Sequence, residues 1–403
     1  MDTLFTVSLL ELFIGGGGRL LEVGPVTVRM ILFAACLCVS LYVAIDRPRN
    51  SNGLPLAVGL VVAYLLIHVA ALLIGTLHGN DAQPAMQEMQ QSLYWLAAPF
   101  MALALRSLDM VLRAAAVVRL AGIVLAIGYI GVVAALALGA VDYLTLYAAL
   151  TTTEEFRFRS ESFFFYKGFL YLCVSAIFFL AVPKRFSAVC LTMVVVAVAM
   201  TLTRGLVVAT SFAALLTLVA QRRWRPLGIA LIAVACAAFF LWAYLPSQDT
   251  SLEASREDSN TQRIEDFAYV VDNLKVGTLL WGEGLGTLIN DRLNIENTFL
   301  WAIWRLGIAG VLFWLAPLVI CFRYFARIDR RSPHFSLACA YFFSTVLIYV
   351  QTMTNPYLNN PIGLSFVIVA LFSLRTISKA AVVPRPVRVV ETMSDAAYRG
   401  HAL

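Results

Sequence analysis

Apolar runs of helix length recur along the chain, separated by short polar segments. The clear ones fall at 26–45, 54–75, 113–139, 163–182, 187–203, 205–220, 227–245, 297–322 and 335–353, with shorter ones at 4–14, 92–105 and 362–374. A membrane-spanning helix needs about 20 mainly apolar residues, so the pattern predicts an all-α polytopic membrane protein of about twelve spans. Residues 1–380 form its transmembrane domain. The run at 4–14 fits an interfacial or re-entrant segment as well as a span. Its four closing glycines, Gly15 to Gly18, end a helix either way.

Composition fixes the solvent. Of 403 residues, 61% are hydrophobic and only 13% are charged, where a soluble domain carries roughly a quarter charged. The net charge of +6 fits positively charged cytoplasmic loops and gives no reason to invoke nucleic acid. The cysteines Cys36, Cys38, Cys173, Cys190, Cys236, Cys321 and Cys339 lie almost entirely within apolar runs, so they imply no disulfide framework and no zinc site. The N-terminus has neither a basic leader nor a small-residue cleavage site, so no removable signal peptide is expected.

Basic residues set the orientation. Arg47 and Arg49, Arg106 and Arg113, Lys184 and Arg185, Arg222, Arg223 and Arg225, Arg323 to Arg331, and Arg375 to Arg388 fall in alternate connections. Placing all of them in the cytoplasm puts both termini inside the cell. The opposite connections are then periplasmic: 140–162, 354–361, and one large loop at 246–296. That loop begins polar and then shows helical apolar spacing at Ile264, Phe267, Val270, Val271 and Leu274. The end from 381 to 403 reads as a disordered cytoplasmic tail.

Several polar residues at the outer boundary have two readings each. Arg204, in "LTRGL", either faces a cavity or snorkels to lipid phosphates; its outer-face position favours function. Arg263 opens the loop helix beside Glu265 and Asp266, where a solvated ion-paired face suffices. Arg305 lies about 12 Å below the start of its helix, and either snorkels outward or points into the bundle at a phosphate. Glu296 complements a helix N-terminus and Asn297 equally suits the N-cap. Gly282, Gly284 and Gly286 in "WGEGLG" form either a phosphate nest or a tight turn. His68 reads as a satisfied interior histidine and His334 as a loop residue.

The order of these residues carries a resemblance. Asn297 is followed by nine residues, "TFLWAIWRL", and then "GIAG", Gly307 to Gly310. Ahead of it come "TRG" with Arg204, "TQRIEDF" with Arg263, and "WGEGLG". The block from about 200 to 312 resembles the O-antigen ligase and polymerase family. That family's signature is a histidine and an amide residue, nine residues, then Gly-x-x-Gly, with two arginines and a Gly-x-Gly turn before it. The chain departs at one place, with Glu296 where the ligase signature has histidine.

The resemblance implies a fold similar to the C-type lipid-linked glycosyltransferases, with the active site at the periplasmic face of a bacterial inner membrane. It implies an undecaprenyl-pyrophosphate-linked glycan as donor and no metal or cofactor. The acceptor is a sugar hydroxyl on another lipid-linked unit for a polymerase, or on lipid A–core for a ligase. Membrane lipid and a chain-length regulator protein are the expected partners. Charge on the departing pyrophosphate falls to arginine, whose planar fork suits phosphate. The expected catalytic residues are Glu296, Arg204 and Arg263, and the expected substrate contacts Asn297, Arg305, Arg256, Gly284 and Gly286. The polymerase is the preferred reading because a carboxylate can replace histidine as proton acceptor toward a different acceptor sugar. A ligase is the alternative. A transporter or flippase is remoter, since it would place charges near the midplane in both halves and here they gather at one face.

Overall fold

The structure, a computed structural model, describes residues 1–18, 22–23, 26–46, 53–151, 155–158, 163–224, 226, 250–289, 292–293 and 295–382. The span expected at 227–245, Cys236, the basic residues Arg47, Arg49, Arg225, Arg385 and Arg388, and the tail from 383 lie outside these. So does the side chain of Arg256.

The apolar runs fold as helices. These are α1 (Asp2–Ile14), α2 (Val28–Asp46), α3 (Leu54–Leu77), α4 (Ala82–Ser92), α5 (Ala98–Ala104), α6 (Leu108–Ala137), α7 (Tyr143–Thr151), α8 (Leu170–Ala181), α9 (Ser187–Met200) and α10 (Arg204–Ala220). After the break come α11 (Thr250–Asn273), α12 (Val276–Trp281), α13 (Thr298–Ala326), α14 (Phe335–Gln351) and α15 (Pro361–Val382). Among the described residues, α3, α6, α13 and residues 361–381 of α15 are long and apolar enough to cross a membrane. Five shorter apolar helices pack beside them. Leu66, Leu73, Ile127 and Leu312 are exposed on the outer faces of the long helices, as a lipid solvent allows.

One expectation needs correction in detail. The run at 92–105 is not one helix. It is a 3₁₀ turn at Leu93–Ala97 followed by the short α5. Pro99 sits at the start of α5, has no N–H to continue a helical ladder, and so divides the segment. The described residues are otherwise mostly helical, in keeping with an all-α membrane protein. Two small antiparallel pairs occur, β1 (Glu22–Val23) with β2 (Val26–Thr27), and β3 (Phe156–Phe158) with β4 (Phe164–Tyr166). The second is held by aromatic packing, with Phe156 stacked on Tyr166 and Phe164 edge-on to Tyr129.

The centre is built from α8, α14 and α15, whose side chains are buried nearly all round. Such helices must satisfy their polar handles internally. Tyr171 Oη donates to the Ile362 carbonyl at 2.6 Å, Tyr341 Oη to Val111 at 2.8 Å, and Tyr349 Oη to Trp314 at 2.6 Å.

The bundle has two chemically different ends. At one, Arg223 Nη1 donates to Leu180 O, Gln221 Nε2 to Ala181 O, and Thr376 Oγ1 to Leu105 O. Arg106, Lys184, Arg185, Arg222, Arg330, Arg331 and Arg375 belong to the helix termini and turns of this end. At the other end, Tyr129 Oη donates to Met200 O and Thr298 N to Thr352 O. α11 lies over this second end against the head of α13.

Candidate active site

The head of α13 decides between the two capping readings. Asn297 Oδ1 accepts from Phe299 N at 2.9 Å and Leu300 N at 3.1 Å, so the amide residue is the N-cap. Glu296 is not needed there. Its Oε2 accepts from Arg263 Nε of α11 at 2.5 Å. Arg263 also donates Nη2 to the Thr354 carbonyl and Nη1 to Asn260 Oδ1, both at 3.4 Å. The two paired side chains are 36% and 37% exposed, so the pair stands at an accessible surface.

Arg204 begins α10 on the neighbouring side. It is exposed and makes no ion pair or side-chain hydrogen bond among the described residues. The next residue, Gly205, packs so closely on the end of α14 that a Cβ there would lie 3.1 Å from Gln351 Nε2 and Thr354 Oγ1. Thr354 therefore joins the two arginine-bearing elements: its side chain abuts Gly205 and its carbonyl holds Arg263. The three residues expected to be catalytic come from α10, α11 and the α13 head, and the fold brings them to one end of the bundle.

α11 is anchored a turn further on. Arg292 Nη2 donates to Asp266 Oδ1 at 2.6 Å. Burial pushes the Asp266 carboxyl above its ordinary range, Arg292 draws it down, and the charges of Glu296 and Glu265 push it up. Among the described residues no group of three His, Cys, Asp or Glu side chains is placed to hold a metal ion.

The two glycine motifs lock into each other. α13 breaks at Gly307, which has φ 65° and ψ −162°. That break takes the carbonyls of Trp304 and Arg305 out of the helical ladder. The Gly-x-Gly turn supplies the missing donors: Glu283 N reaches Trp304 O at 2.8 Å and Gly284 N reaches Arg305 O at 3.2 Å. A Cβ on Gly282 would lie 2.3 Å from Arg305 O, and one on Gly307 would lie 2.5 Å from Leu280 O. Both positions have positive φ, so glycine is required twice over. Leu285 N then donates to Ala71 O of α3, and Gly286 N to Glu88 Oε2 at 2.7 Å. In this arrangement the amides of 283–286, including those of Gly284 and Gly286, all face protein acceptors.

Arg305 points inward. It is fully buried, and its Nε donates to Glu88 Oε1 at 2.8 Å while Nη2 reaches the Leu293 carbonyl at 3.3 Å. The same Glu88 oxygen accepts from Trp301 Nε1 at 2.9 Å. Glu88 of α4 thus ties the inner face of α13 to the Gly-x-Gly turn by accepting from two side chains and a backbone amide. This network lies beneath the Arg263–Glu296 surface, away from the open end.

No family model matches the chain. It is 29% identical over 383 residues to an O-antigen polymerase of Shigella flexneri, an alignment that covers 92% of this chain and 95% of that one. The chain is thus similar to an O-antigen polymerase over nearly its whole length.

The sequence alone yields the arginines, Glu296 and Asn297, but not their supports. Glu88 was missed because nothing in "AMQEMQQS" links it to a residue 217 positions away. Thr354 was missed because it acts through its carbonyl. One signal for Glu88 was present: it is an acidic residue between two apolar runs, and such residues seldom lie buried without a cation.

Proposed function

We propose that the chain is an inner-membrane O-antigen polymerase that transfers an undecaprenyl-pyrophosphate-linked glycan to a sugar hydroxyl of another lipid-linked repeat unit. In this reading it has twelve spans, both termini in the cytoplasm, and the α10–α11–α13 end in the periplasm. The observation that carries it is the Glu296–Arg263 pair at the head of α13, in a chain similar over nearly its whole length to an O-antigen polymerase.

The chemistry follows from the groups present. The acceptor hydroxyl oxygen attacks the anomeric carbon of the donor glycan. The bond from that carbon to the pyrophosphate oxygen breaks, and the pyrophosphate leaves with the electron pair. The hydroxyl proton passes to Glu296, an acceptor of the right type once its own cation holds it in place. Arg263 already spends three of its donors on Glu296, Thr354 and Asn260, so its role is to orient the carboxylate. Arg204, exposed and without such partners, is the guanidinium that meets the departing pyrophosphate. The donor's lipid tail would lie along the apolar outer faces of the long helices.

The test is a strain lacking its own copy, complemented with Glu296→Gln, its surface glycan resolved by length. Single repeat units from an equally expressed variant support the polymerase. Full-length glycan that stays on the carrier lipid instead means a ligase, and a normal ladder removes Glu296 from the chemistry.

A further inference from the structure

At the basic end, opposite the candidate active site, two connections more than a hundred positions apart in sequence enclose a recess of about 560 Å³. Arg222 and Arg223 line it from the end of α10. Arg330 and Arg331 line it from the turn before α14, with Asp329 the one carboxylate among its lining residues. Both walls are ordered. Arg223 Nη1 donates to Leu180 O at 3.0 Å, which fixes the end of α10 on the end of α8. Across from it, Arg331 N donates to Asp329 Oδ1 at 2.8 Å and Ser332 N to Asp329 O at 2.9 Å.

The conformation of Arg222 separates this recess from an ordinary scatter of topology-setting arginines. α10 closes with Arg222 N bonded to Val219 O and Arg223 N to Leu218 O. That is a Schellman closure, in which the residue after the cap adopts the left-handed region and is usually glycine. Here it is Arg222, with φ 55°. A bulky side chain at such a place is strained and persists where the surroundings over-determine it. Glycine would close the turn more cheaply; arginine adds a fourth cation to the recess.

We propose that this recess binds the phosphate-bearing headgroup of an anionic phospholipid. Three observations fit one occupant. Four arginines and one carboxylate line the recess. The recess lies at the ends of the apolar helices α10 and α14, past the end of α13, which is long and apolar enough to cross a membrane. Phe335 and Ala220 add apolar lining to the charges, and the residue after Arg223 is the exposed Trp224, where acyl chains would begin. Basic pockets between membrane helices recognise anionic headgroups through these terms, each cation contributing on the order of a fivefold change in affinity.

The experiment uses the purified full-length protein in neutral detergent, titrated with phosphatidylglycerol, phosphatidylcholine or inorganic phosphate, and followed by native mass spectrometry. The wild type should retain phosphatidylglycerol in preference to phosphatidylcholine. Arg222→Asn combined with Arg331→Gln should lower that retention about thirtyfold. Asparagine tolerates the left-handed region, so the turn keeps its shape. Arg106→Gln with Arg113→Gln removes two cations of the same end outside the recess and should leave retention unchanged. Arg330→Gln alone gives a milder variant, expected to fall between. Equal retention by wild type and the Arg222→Asn/Arg331→Gln protein overturns the site. Equal retention of both lipids together with uptake of inorganic phosphate also overturns it, since a soluble phosphate would then be the ligand.

Discussion

Arg263 and Glu296 meet at 2.5 Å, the first from a helix that lies over the end of the bundle and the second from the residue before the α13 cap. Because Asn297 does the capping, Glu296 is left to pair with Arg263. Arg263→Lys keeps the charge and loses the fork that reaches Glu296, Thr354 and Asn260 together. It should lower the polymerisation rate about 10–100-fold at normal protein levels, less than the 10²–10⁴-fold loss usual for the proton acceptor itself. The measurement is the rate of chain growth in membranes supplied with lipid-linked units. A loss as large as that of Glu296→Gln would mean Arg263 also contacts the reacting groups.

Arg204 has the opposite signature, an exposed guanidinium without protein partners among the described residues. Arg204→Lys should leave thermal stability unchanged and weaken use of the donor, because only substrate would miss the fork. Activity equal to wild type would return this arginine to a snorkelling role at the lipid surface.

Membrane sidedness can be tested on the two ends of the bundle. Single cysteines at Asp272 in α11 and at Asp329 beside the basic recess, in a background without the native cysteines, should label oppositely with a membrane-impermeant thiol reagent in spheroplasts. Asp272→Cys should react and Asp329→Cys should not. The reverse pattern would move the Arg263–Glu296 end to the cytoplasm, where the proposed reaction has no substrate.

The helices were largely legible because the bilayer imposes a length on each apolar run, and α3, α10, α13 and α14 begin and end within a few residues of the runs that code for them. That Arg204, Arg263 and Glu296 belong to one end of the bundle was legible through the order of motifs that carries the family resemblance, not through any one stretch. The internal engineering was not. Gly282 and Gly307 read as motif glycines, yet their requirement comes from each motif's backbone meeting the other. The 3₁₀ turn before Pro99 was masked by continuous hydropathy, which measures solvent and not backbone geometry. Glu88 is invisible to any local pattern, since its three donors come from other elements.

The glycine lock gives a sharp expectation. Gly307→Ala places a Cβ 2.5 Å from the Leu280 carbonyl at a φ that alanine resists, and Gly282→Ala does the same against Arg305 O. Either should reduce accumulation of folded protein, read as the monodisperse fraction after detergent extraction. Gly277→Ala, with open space around its Cβ, is the control and should behave as wild type. Normal folding of Gly307→Ala would mean that α13 can run through unbroken and that the turn does not depend on the break.

The buried pair of Glu88 and Arg305 separates structure from catalysis. Both are almost fully inaccessible, at 3% and 0% exposure, and the arginine sits inside a helix that packs on the bundle. Removing one partner of such a pair leaves an uncompensated charge and costs about 3–5 kcal/mol, whereas replacing both with apolar residues of similar size is often close to neutral. Glu88→Leu alone should therefore accumulate poorly, and so should Arg305→Met. The double variant should recover much of the lost stability, although Gly286 N and Trp301 Nε1 lose their acceptor in it and keep the recovery incomplete. Thermal denaturation of the three proteins in the same detergent measures the coupling directly. If Arg305 instead serves the substrate, its single variant should be as stable as wild type and inactive, and adding Glu88→Leu should rescue nothing. A recovery of stability in the double variant, with polymerisation returning alongside it, would place Arg305 among the supports of the site and leave the chemistry to the residues above it.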